Sequence, residues 1–154
     1  MFKKFAAQKI PIIPSEDVRR EVNNLLGEDS KYWNRAAEYA TIYFDKDDQK
    51  AKNAYDEAIV NYHLMQKTVA KIIDVWPQGV ELVKEIQEMV GLGIKMAEND
   101  YYCGRYTQPA NMDKSGFSFK SRDFVTRRHG YADMIDKKQL LIQKLLISSK
   151  INQK

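Results

Sequence analysis

A chain of 154 residues with 44% hydrophobic and 30% charged side chains has the size and composition of one globular domain, long enough to bury a core without disulfides or metal. Its apolar runs are a few residues long, far below the roughly 20 a membrane helix needs, and its single cysteine, Cys103, has no internal bridge to make; a membrane span and a disulfide scaffold are excluded, and a reducing cytoplasmic setting fits. The net charge is +4, and residues 103–132 account for all of it, with six Lys or Arg against two Asp or Glu.

The start of the chain carries basic residues, but Gln8 and Lys9 break its apolar stretch before a signal-peptide core forms. Ile10-Pro11-Ile12-Ile13-Pro14 is held extended by its prolines and reads as an apolar arm lying across the core. Ser15 caps a first helix, with Glu16 and Asp17 in its positive first turn and Val18, Val22, Leu25 and Leu26 on one face; Gly27 is its expected end. A second helix is expected from Ser30, with Trp33, Ala36, Ala37, Ala40, Tyr43 and Phe44 on one stripe. The charges of 45–48 mark a turn. The third helix has the clearest pattern: Ala51, Ala54, Tyr55, Ala58, Tyr62, Met65, Val69, Ile72, Ile73 and Trp76 keep helical spacing until Pro77 stops it.

A fourth helix carries Leu82, Val83, Ile86, Met89, Val90, Ile94 and Ala97, and its internal Gly91 and Gly93 predict a kink or a close backbone contact. Periodicity then lapses over 100–121, a long loop rich in Gly, Asn, Asp and Ser. A last helix follows from about Asp136, beginning as early as Ser121 if Gly130 is tolerated, with Leu140, Leu141, Leu145 and Leu146 at bundle spacing; 148–154 reads as a frayed tail. No strand pattern of useful length and no 34-residue helical repeat occurs. The fold class is all-α, a single-domain bundle of about five helices whose core contains Trp33, Tyr55, Ile72, Trp76, Ile86, Leu141 and Leu145.

Chemical motifs are sparse. His63, His129 and Cys103 lie at no metal-ligand spacing, the acidic turn at 45–48 lacks the glycine of a calcium loop, and Gly91-Leu92-Gly93 follows a helix without the third glycine of a phosphate cradle, so neither metal nor cofactor is expected. Glu81, Glu85 and Glu88 share a helical face and read as a solvated acidic stripe. His63 reads as a hydrogen-bonded structural residue, and Cys103 lacks a neighbouring base to activate it.

The window 103–131 is the exception. Arg105, Lys114, Lys120, Arg122, Arg127 and Arg128 alternate with Tyr106, Phe117 and Phe119, a mixture suited to phosphates and exposed bases, and equally to an acidic protein surface. The expected function is a small, non-enzymatic binding or regulatory protein that engages nucleic acid or an acidic protein through these residues, with no membrane and a homodimer among the possible states.

Within the window, Arg122 to His129 spells R-x6-H, followed by Gly130-Tyr131. This resembles the R-x4-6-H signature of the HEPN superfamily of all-α ribonucleases, and His129-Gly130-Tyr131 is similar to the His-x-Tyr that ends the motif in some members. The resemblance implies a bundle that dimerises to build one metal-independent RNase site, with Arg122 and His129 as the catalytic pair.

Overall fold

The computed structural model describes residues 13–40, 42, 47–102 and 119–152, the side chains of 119–124 excepted. Among these residues there is no strand, and four long helices form one bundle. Helix α1 spans Glu16–Ala40, α2 Asp48–Val75, α3 Val80–Tyr102 and α4 Phe119–Ser148; a single 3-10 turn, Pro77–Gly79, joins α2 to α3. Of the expected arm over 1–14, all but Ile13 and Pro14 lies outside the described residues; Pro14 is buried.

The helix starts follow local chemistry. Ser15 Oγ accepts from Val18 N at 3.4 Å and opens α1. Asp47 Oδ1 accepts from Gln49 N and Lys50 N at 2.9 and 3.2 Å and opens α2, each bond satisfying a donor that the first helical turn leaves without a carbonyl. At the other end of α2, Trp76 folds under the 3-10 turn, and a Cβ on Gly79 would sit 2.5 Å from its ring, so the turn requires glycine.

The two expected N-terminal helices are one. Gly27 lies inside α1, exposed and with no neighbour near its Cβ position. Val18, Val22, Leu25, Trp33, Ala36 and Ala40 form a stripe that runs past it and packs against α2. A mid-helix glycine costs about 1 kcal/mol, less than burying even one or two large apolar side chains returns. Gly27→Ala should therefore stabilise the protein by about 0.5–1 kcal/mol, read as a higher urea midpoint at unchanged slope. Gly93→Ala should do the opposite, because its Cβ would come within 2.9 Å of the Tyr62 ring and 3.1 Å of Trp33, where α3 meets α2 and α1. Of the two glycines in α3, then, Gly93 marks a close contact and Gly91 does not.

The core consists of the α2 row Ala54, Ala58, Tyr62, Met65, Val69, Ile72 and Trp76 against Val22 and Ala36 of α1 and Leu82, Val83, Ile86, Met89, Val90 and Ala97 of α3. Trp33, Tyr55 and Leu145 are half-buried at its edge, and Trp33 meets Tyr62 edge-on with ring centroids 5.6 Å apart. Packing runs in sequence, α1 on α2, α2 on α3 and α3 on α4, with no comparable contact between α1 and α4.

The last helix departs from expectation in three ways. It is unbroken from Phe119, through Gly130, and α3 reaches Tyr102, so the long loop shrinks at both ends; 103–118 lie outside the described residues. The inward residues of α4 are Ile135 and Ile142 with Leu145 and Leu146 beside them, whereas Leu141, expected in the core, is 39% exposed. The tail does not fray over 149–152: Ile151 enters the core, Asn152 N donates to Asn23 Oδ1 at 3.0 Å, and Lys150 and Asn152 turn at positive φ to bring it there. Glu85 and Glu88 are likewise not simply solvated. Lys138 of α4 donates to Glu85 Oε2 at 2.6 Å and also to Glu88, fastening α4 to α3, while Glu81 stays exposed.

Candidate interaction surface on the last helix

Of the nine expected binding residues, five belong to α4 and four lie outside the described residues. Arg105, Tyr106, Lys114 and Phe117 lie outside the described residues. Phe119, Lys120 and Arg122 belong to the opening turns of α4, and Arg127 and Arg128 follow within an exposed run from Val125 to Gly130. His129 is in this run, and His63 elsewhere is also exposed, its Nδ1 3.0 Å from Gln66 Oε1. The helix brings Arg122 and His129 to the same side, since seven residues at 3.6 per turn leave them about 20° apart around the axis.

Arg128 differs from a solvated surface cation. Its Nε donates to both carboxylate oxygens of Asp100 at 3.1 and 3.3 Å; Asp100 is only 1% exposed, whereas the Arg128 side chain is 47% exposed. Burial pushes the Asp100 carboxyl above the ordinary carboxylate range, and the guanidinium pulls against that shift without cancelling it. Tyr62 is buried as well, and its hydroxyl is pushed up to about 12, first by burial and then by the Asp100 charge. Arg128 is thus a strut between α4 and the end of α3.

Beside the strut is a shallow hollow lined by Lys95, Glu98, Asn99, Tyr102, Arg127 and Tyr131. Tyr102 is 60% exposed and meets Tyr55 and Tyr101 edge-on, at centroid distances of 5.7 and 4.9 Å; Tyr55 and Tyr101 are stacked at 4.5 Å. Two cations and two tyrosines therefore face one acid, a mixture that presents both charge and flat apolar area. The sequence reading missed Asp100 and Tyr102 because it ended the helix too early, and Lys95 because nothing along the chain pairs it with Arg127. The signal was present: Ile94, Ala97 and Tyr101 continue the i, i+3, i+7 row of α3.

Further along α4, apolar side chains turn away from the core. Met134, Leu140, Leu141 and Ile147 are exposed, Leu140 at 60% and Ile147 at 69%, while Ile135 and Ile142 are buried. Met134 and Leu141, and Leu140 and Ile147, are each seven residues apart, so they form two rows about 120° apart around the helix axis, the first at the flank of the packed side and the second pointing away from it. No group of His, Cys, Asp or Glu able to hold a metal occurs among the described residues, and none of the described helices is long and apolar enough to cross a membrane. No family model, curated protein or solved structure matches the chain.

Proposed function

We propose that the chain is a non-enzymatic binding protein whose last helix docks on an acidic, partly apolar protein surface. The observation that carries this reading is the exposed surface of α4: Arg127 beside Tyr102 near its start, then two rows of exposed apolar residues, Met134 with Leu141 and Leu140 with Ile147. Isolated exposed apolar residues are ordinary, but several within four turns of one helix mark a contact surface. Nucleic acid would use the cations and has no use for the leucines and isoleucine; a protein partner uses both, apolar anchors for lifetime and charge for steering.

The test is capture of partners from lysate with and without nuclease, using wild type, Arg127→Gln, and Leu140→Ser with Ile147→Ser. A protein partner should survive nuclease, associate more slowly with Arg127→Gln, and dissociate at least about tenfold faster from the double serine variant. These positions are exposed, so each change should cost within about 0.5 kcal/mol of stability. Nuclease-sensitive capture with a steep salt dependence would assign the surface to nucleic acid instead, and concentration-dependent dimers abolished by the serine changes would assign it to a second copy of the chain.

The HEPN-like reading is supported by one feature, the unbroken helix that brings Arg122 and His129 to the same side two turns apart. It requires metal-independent RNA cleavage by wild type that His129→Ala abolishes without loss of fold. Absence of cleavage by wild type removes it.

A further inference from the structure

A second feature stands apart from the α4 surface and does not depend on it. Because α1 and α4 do not pack on one another, a pocket of about 320 Å³ opens between them, floored by α2 and α3. Its apolar wall includes Trp33, Met65, Ile86, Met89, Ile142 and Leu146, and Ser30, Asn34, Gln139 and Asn152 add neutral polar groups. Asp29 also lines it, and among the described residues of the lining it alone is ionisable. Asp29 is 3% exposed, and its Oδ1 is buried with no hydrogen-bond partner among the described residues.

That combination needs explaining. An ionised carboxylate in an apolar wall is costly unless a cation or strong donor meets it, and α1 could have continued its stripe at this position with an apolar residue. A metal ion would require several oxygen ligands where the pocket supplies one carboxylate. A neutral apolar ligand would leave Oδ1 unpaired. A protonated amine carries N–H donors and a positive charge at one end and an apolar body at the other, which matches one buried acid, an indole and two adaptable thioethers.

We propose that this pocket binds a small primary amine, its ammonium group against the Asp29 carboxylate and its ring or short alkyl body against Trp33, Met65, Met89 and Leu146. The volume lies at the small end of ligand pockets, enough for one ring system with a short aminoalkyl arm. Burial, reinforced by the neighbouring Glu28 charge, pushes the Asp29 carboxyl up to about 7, and an ammonium ligand would draw it down. Binding should therefore weaken as pH falls below 7 and Asp29 takes up a proton.

Titration of the full chain with 2-phenylethylamine and tryptamine, and with neutral 2-phenylethanol, by calorimetry at pH 8 tests this. At least one amine should bind with a sub-millimolar dissociation constant, at least about tenfold tighter than the alcohol. Asp29→Asn should remove that preference, and Leu146→Trp, which fills the pocket and leaves Asp29 in place, should block the amine. Absence of amine binding at millimolar concentration, equal affinity for amine and alcohol, or unchanged amine affinity in a folded Asp29→Asn variant would each overturn the proposal.

Discussion

Replacing Asp29 by asparagine is expected to raise stability at pH 8 by roughly 1–3 kcal/mol while changing it little near pH 4, the gain being what remains of the relieved ionisation penalty after an amide is buried in its place. The Asp29 carboxyl moves from 3.8 when unfolded to about 7 in the folded protein. Below 3.8 the group is protonated in both states and folding carries no penalty from it. Between 3.8 and about 7 the folded protein holds a proton that the unfolded chain has lost, so stability falls as pH rises; above 7 the loss is complete. A shift of this size corresponds to roughly 4 kcal/mol between the two limits. Asparagine cannot ionise, so its stability curve should lack this descending limb. Urea denaturation of both proteins at several pH values between 4 and 8 measures the difference, which isolates Asp29 from every other titrating group. Parallel curves would mean that Asp29 is solvated in the folded protein.

Replacing Arg128 by alanine should cost about 2–3 kcal/mol at neutral pH, well beyond an ordinary surface substitution. Asp100 would remain buried without the guanidinium that offsets its burial, and its carboxyl, already raised, would move further up. The cost stays below the roughly 3–5 kcal/mol typical of a fully buried pair because about half of the Arg128 side chain is already in water. The effect should shrink at acidic pH, where Asp100 becomes neutral in either protein. Adding Asp100→Asn to Arg128→Ala should recover much of the loss, and the coupling from the four proteins of that cycle measures the pair. Arg127→Ala, one residue earlier and exposed, provides the comparison, with an expected cost within about 0.5 kcal/mol.

The candidate surface was legible in part. The cationic character of 103–132 is a property of composition, and the exposure of Arg127 follows from the same patterning that makes the neighbouring helices amphipathic. The role of Arg128 was not legible, because its partner Asp100 is 28 residues away on another helix. Nor were the exposed apolar rows: Leu140, Leu141, Leu145 and Leu146 all fit bundle spacing, and the chain pattern alone does not say which pair faces in. The position of α3 chooses Ile135, Ile142, Leu145 and Leu146 for the core and leaves Leu140 and Leu141 outside.

What the sequence by itself determined is local or strongly periodic. The caps at Ser15 and Asp47, the stop at Pro77 and the α2 row from Ala51 to Trp76 all come from interactions within a few residues, or from a pattern repeated often enough that one arrangement buries it. Tertiary structure decided the rest. It carried α1 through Gly27, extended α3 to Tyr102 and α4 back to Phe119, docked Ile151, and left between α1 and α4 the pocket that holds Asp29. In each case a local preference worth about 1 kcal/mol was weighed against the burial of side chains on a distant element, a larger quantity that exists only once that element is in place.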